Sequence, residues 1–171
     1  QGILALWPTN SDLDTSPAQQ RLQRILDRIA VSKRDILAIA APALAPYGRA
    51  ARQTLTALNM FTELADNIVY GSNINQTHLF VSYGNATAGL VAYPQVLQQP
   101  MRTSPNEVLV IPQALYDPIN QAGGIVIKPV SSPYAIEFMN WLLSDTIQHK
   151  ISLLGYQVQA ENYLKPSVSI H

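Results

Sequence analysis

"LAPYGRAARQTL", residues 44–55, is the stretch on which the reading of this chain turns. It reads as a helix that opens on Pro46, Tyr47 and Gly48. Such an opening leaves several backbone N–H groups pointing forward with nothing to bind. Immediately before it, "ILAIAA" (residues 36–41) is an unbroken apolar run, the pattern of a strand buried on both faces. The run passes through Pro42 into the helix, which is expected to continue to about Leu58.

The same unit recurs downstream. "NIVYG" (67–71) predicts a strand. "SNINQTHLFVSYG" follows as a helix capped by Ser72 or Asn73 and stopped at Gly84. "AGLVAY" (88–93), "EVLVIP" from Glu107 and "GGIVIKP" from Gly123 complete the expected strands. Upstream, "GILALW" (2–7) reads as a buried strand, and the turn-rich "PTNSDLDT" leads to a helix opened by a capping box of Ser16 and Gln19 with Pro17 at its first position. Leu22, Ile25, Leu26 and Ile29 give that helix one apolar face; its charges fall mostly elsewhere, as on a solvated face. Near the end, "SSPYAIEFMNWLL" is a helix capped by Ser132, and "SDTIQHKISLLG" a second one capped by Ser144 and ended by Gly155. Strands alternating with helices imply an α/β fold with a mostly parallel sheet.

Composition narrows the function classes. The 171 residues carry 11 basic and 11 acidic side chains, and charged residues make up only 13% of the chain. Nucleic acid and polybasic membrane contacts need clustered Lys and Arg, so neither is expected. There is no cysteine, which removes disulfides, thiol catalysis and Cys-based metal sites. No apolar run approaches the length of a membrane span. The sequence opens without a Met-initiated signal peptide, so a mature form or a fragment is expected.

The chemistry-bearing residues do not assemble into a catalytic pattern. His78, His149 and His171 are far apart and lack carboxylates at ligand spacing. No nucleophile elbow, phosphate loop or dinucleotide fingerprint occurs. Asp12, Asp14, Glu63 and Asp66 form short-range acidic pairs without a companion base. Catalytic residues, metal ligands and cofactors are therefore not expected. Two strand–turn–helix openings do offer chemistry: residues 36–41 into Pro46-Tyr47-Gly48, and residues 68–70 into Asn73-Ile74-Asn75. In an open α/β sheet both turns can lie at the carboxyl edge, where ligands bind. Free N–H groups and helix dipoles there can hold an anion without a charged side chain. Every α/β domain has such turns, so the pattern alone is not a site.

A resemblance extends this reading. "LAIAAPALAPYGRAARQTL", followed by "VYGSNINQTHLFVSYGNATAGLVAYPQVL", resembles the second lobe of the periplasmic molybdate-binding proteins, the substrate-binding components of ABC transporters. "GILALW", "PQALYDPINQAGGIVIK" and "AIEFMNWLLSDTIQHKISLLGYQ" resemble the flanking pieces in order, so the match runs from Gly2 to about Gln157. The resemblance implies a type 2 periplasmic binding-protein fold, with the second lobe complete and the C-terminal part of the first lobe. It divides the chain into residues 1–35 (crossover strand and helix from the first lobe), 36–128 (oxyanion-binding lobe) and 129–171 (closing helices and tail). The implied ligand is molybdate or tungstate, and the implied place is the periplasm, with a membrane permease of an ABC transporter as partner. The amides of Tyr47 and Ile74 would bind the oxyanion, with Gly48, Asn73 and Asn75 in support. Some family members add a tyrosine hydroxyl from the strand resembling "AGLVAY"; here the matching position is Ala92, and Tyr93 is one place on. Nothing resembles the family's opening strand and its Ser- or Thr-bearing turn. The chain is accordingly expected to be N-terminally truncated, with strand 3–7 and the helices around Phe138, Trp141 and Leu142 left uncovered and open to self-association. Alternatives that share the fold are a binder of another oxyanion such as sulfate, the effector-sensing domain of a transcription regulator, and a paralogue acting only through protein contacts.

Overall fold

The computed structural model describes residues 1–9, 16–98, 108–126 and 133–158. Five strands form one sheet: β1 (Leu4–Pro8), β2 (Leu37–Ala40), β3 (Ile68–Gly71), β4 (Ala88–Ala92) and β5 (Leu109–Val110). Their order is β3-β2-β4-β1-β5. β2 runs parallel to both β3 and β4. β1 runs antiparallel to β4 and to β5. The sheet is therefore mixed rather than mostly parallel. A strand buried on both faces is apolar throughout and carries no direction in its sequence, so "GILALW" could be placed in the sheet but not oriented.

Six helices are described: α1 (Ala18–Val31), α2 (Pro46–Ala57), α3 (Ile74–Ser82), α4 (Tyr93–Leu97), α5 (Pro133–Leu142) and α6 (Asp145–Leu153); α1 and α2 pack on one face of the sheet, α3 and α4 on the other. The two-residue alternation of a strand sorts its side chains between the faces. Leu4, Leu6, Leu37, Ile39 and Leu90 join Leu22, Leu26 and Ile29 of α1 and Ala51 and Leu55 of α2 in the larger core. Trp7, Ala38 and Val91 join Val81 of α3 and Val96 on the other face. The apolar stripe expected on α1 is the one that packs: Leu22, Leu26 and Ile29 are buried.

Several expectations are corrected here. β1 is interior, with Leu4, Ala5 and Leu6 at 0% exposure, so it is not an uncovered strand. β1 and α1 share a sheet and a core with residues 37–92. The N-cap of α1 is Pro17, with no side-chain cap bond, in place of the Ser16–Gln19 box. "EVLVIP" contributes only Leu109–Val110. Residues 123–126 carry no strand. The Ser132 cap, Asp12, Asp14, His171 and most of the polar tail lie outside the described residues. Along α5, Phe138 and Trp141 are exposed, as expected, and so are Tyr134 and Ile136, whereas Leu142 is half-buried. Gly84 and Gly155 follow the ends of α3 and α6 with φ of 75° and 91°, the left-handed stop that glycine provides.

His78 lies inside. Its ring stacks on Trp7, with centroids 5.0 Å apart and planes 23° from parallel. Its Nε2 is buried without a hydrogen-bond partner, and burial lowers its pKa from the ordinary 6.5. The unfolded chain then binds a proton more readily than the folded one, so stability falls as pH drops through 6.5 towards the lower folded value. Urea unfolding between pH 7.5 and 5.5 is expected to show this fall. His78→Phe, which keeps the stack but cannot titrate, is expected to flatten it; an unchanged slope would place the titrating group elsewhere.

Candidate functional site

The parallel pairing of β2 with β3 puts two helix openings side by side. The register runs Leu37↔Ile68 to Ala40↔Gly71, so both strands end at the same level of the same edge. The Ala41 amide continues the ladder by donating to the Gly71 carbonyl at 2.7 Å. From there one chain turns through Ala41–Ala45 into α2, and the other through Ser72-Asn73 into α3.

The α2 opening has no side-chain cap. Its N-cap is Ala45, and Pro46 occupies the first helical position, where its missing N–H costs nothing. Ala45 and Leu44 donate back to the Ala41 carbonyl at 3.0 Å each, and Arg49 donates to the Ala45 carbonyl at 3.1 Å. Between them the N–H groups of Tyr47 and Gly48 find no acceptor among the described residues. Gly48 is dictated by space: a Cβ there would stand 2.3 Å from the Ala40 carbonyl oxygen. Tyr47 is buried; burial, with Tyr156 and Tyr116 nearby, pushes its hydroxyl pKa well above the ordinary 10. The phenol is therefore neutral at physiological pH and anchors the turn as an apolar body.

The α3 opening is capped, and the cap uses particular amides. Asn73 Oδ1 accepts from the Gln76 N–H at 2.9 Å, and Gln76 Oε1 accepts from the Ser72 N–H at 2.6 Å. The Thr77 hydroxyl and N–H both donate to the Asn73 carbonyl. This reciprocal arrangement leaves the N–H groups of Ile74 and Asn75 without an acceptor among the described residues. Gly71 is again demanded by closeness, since a Cβ would lie 2.6 Å from Thr77 Oγ1. Neither first turn contains an acidic residue that could compete for these donors.

All five residues expected at the site therefore lie at one edge, four through free amides and Asn73 through the cap. Sequence reading missed Gln95. Its Nε2 donates to Asn75 Oδ1 at 2.5 Å, from the first turn of α4, which begins directly after β4 and so at the same edge. No short-range pattern signals a bond across twenty residues. Tyr93 donates its N–H to the Ile3 carbonyl at 3.0 Å, so that amide is not free. Thr77 is buried in the first turn of α3, and the Asn75 side chain is held by Gln95. Among the described residues no cluster of His, Cys, Asp or Glu could hold a metal ion. No helix there is long and apolar enough to cross a membrane.

Residues 3–157 match the profile of the bacterial extracellular solute-binding proteins. The chain belongs to that family. It is a family of solute-binding proteins rather than of enzymes. The chain is 33% identical over 157 residues to the molybdate-binding protein ModA of Rhodobacter capsulatus, covering 91% of this chain and 56% of that protein. It is 36% identical over 136 residues to the molybdate-binding protein ModA of Azotobacter vinelandii, covering 78% and 54%. The solved structure of the Azotobacter vinelandii periplasmic molybdate-binding protein superposes with a TM-score of 0.70 at 27% identity, covering 92% of this chain and 65% of that one. The fold is thus the type 2 binding-protein fold, as expected. The chain spans about half the length of the curated relatives it matches.

Gly48, at this edge, and Gly84, after the far end of α3, separate space from conformation. Gly48→Ala, with its methyl driven against the Ala40 backbone, is expected to cost about 2–4 kcal/mol in urea unfolding. Gly84→Ala meets nothing within 4 Å and suffers only its φ of 75°, so about 1 kcal/mol is expected. Equal costs would mean that α2 is not pinned to the end of β2.

Proposed function

We propose that this chain binds a tetrahedral oxyanion, molybdate or tungstate, through the uncharged amides of Tyr47, Gly48, Ile74 and Asn75, and that it serves an ABC transporter by handing the anion to the membrane permease from the periplasmic side. The observation that carries the reading is the pair of neighbouring helix openings whose donors have no partner among the described residues and no acidic residue in either first turn. The molybdate-binding relatives and the resemblance to ABC-transport components support the choice of ligand and partner.

The physics favours a dianion. Each hydrogen bond to a charged acceptor contributes about 1.5–3 kcal/mol, and each helix N-terminus adds about 0.3–1 kcal/mol of dipole stabilisation. The α2 and α3 turns contribute complementary donors: the second and third helical positions from α2, and the first and second from α3. Their carrier is a chain with a formal net charge of zero, so attraction comes from aimed dipoles rather than from a basic patch.

Amide NMR during titration with sodium molybdate tests this directly. Shifts are expected at Tyr47, Gly48, Ile74 and Asn75, with tungstate reproducing them. Ile74→Pro removes one donor at a position where proline suits the helix, and Ile74→Val keeps the donor while trimming the side chain. The proline variant is expected to bind about 1.5–3 kcal/mol more weakly than the valine variant, with both folded. Shifts located elsewhere, or equal affinity for the two variants, would remove this edge from the function.

A further inference from the structure

Gln95 and Asn75 form a contact that the anion cradle does not explain. Asn75 is exposed and sits at the second position of α3. Its own N–H is one of the free donors. An Asn side chain in a first helical turn has an alternative use: its oxygen can fold back onto its own or a neighbouring backbone N–H. A side-chain oxygen there would occupy the donor that an incoming anion needs. In this structure the Asn75 oxygen is instead held by Gln95 Nε2 at 2.5 Å. The other end of the Gln95 carboxamide is left at a disadvantage, for Oε1 is buried with no hydrogen-bond partner among the described residues. A buried carbonyl oxygen without a donor is costly, and the N–H end of the carboxamide is directed at Asn75.

We propose that Gln95 is a positioning residue of the oxyanion site, which keeps the Asn75 side-chain oxygen off the α3 amides so that they stay free for the ligand. The inference rests on the oxyanion reading above. Gln95 acts through Asn75, and its place at the third strand–helix junction of the same edge ties α4 to the cradle. β4, which leads into α4, is the parallel neighbour of β2 on the side away from β3. All three junctions therefore take part: two supply donors, and the third keeps one of them unoccupied.

The test uses the whole chain and two readouts. Gln95→Met keeps the length and volume of the side chain but cannot donate. Without ligand, amide hydrogen exchange at Asn75 is expected to slow in Gln95→Met, because the released oxygen now accepts that N–H. Adding Asn75→Ala is expected to restore fast exchange. With sodium molybdate, affinity in Gln95→Met is expected to fall about tenfold, and the Asn75→Ala/Gln95→Met double variant is expected to regain most of that loss. A role in packing alone would leave the double variant as weak as the single one or weaker. Unchanged exchange at Asn75 in Gln95→Met, or a loss of affinity that Asn75→Ala does not repair, overturns the proposal. A wild-type chain whose α3 amides ignore molybdate overturns the oxyanion reading itself, and the role of Gln95 with it. If Gln95→Met does not fold, Gln95→Glu, which also cannot donate when ionised, is put through the exchange comparison with the same expected and overturning results.

Discussion

The in-register parallel pairing of β2 with β3 is the constraint on which the rest depends. Because Ala40 stands opposite Gly71, two chains leave the sheet at one level and each must turn at once into a helix. The close packing that follows is what excludes side chains at Gly48 and Gly71. A slip by one residue in either strand would exchange its two faces between the two cores and would also move one helix opening away from the other. Core packing and the proposed binding site are therefore set by the same register.

The openings differ in how they satisfy their backbone, and the difference matters for ligand binding. At α2 Pro46 brings no N–H, and with no capping side chain the amides of Tyr47 and Gly48 find no acceptor among the described residues. At α3 Asn73 and Gln76 satisfy two amides in a reciprocal pair and leave two others. An anion placed between them would meet dipoles already oriented by the fold, with little reorganisation on binding. Charged side chains would attract anions more strongly at long range but would discriminate less by geometry. A chain with 11 basic residues balanced by 11 acidic ones is suited to the first strategy.

Much of this architecture was legible in the sequence because local signals and tertiary demands agree there. Pro46 and Gly48 mark the α2 opening, Asn73 caps α3, and Gly84 and Gly155 follow their helices at positive φ. The apolar runs of β2 and β4 are buried along their whole lengths. What could not be read depends on distant partners. The antiparallel direction of β1 is fixed by β4 and β5, and nothing within five apolar residues encodes it. Ser16 and Gln19 match a capping box, yet the helix starts two residues after Ser16 with Pro17 as its cap. Gln95 looks like any polar residue of a short helix until the sheet brings α4 beside α3. Nothing in the residues around His78 announces its stack on Trp7, which comes from a strand seventy residues away.

The central claim is that the two neighbouring helix openings hold the oxyanion. Molybdenum scatters X-rays anomalously, so a crystal of the chain grown with sodium molybdate and measured at the molybdenum absorption edge locates the ligand without reference to any variant. The account expects one dominant anomalous peak between the first turns of α2 and α3, within hydrogen-bond reach of the amides of Tyr47, Gly48, Ile74 and Asn75 through its oxygens. A dominant peak at any other place on the chain, with that edge empty, would contradict it.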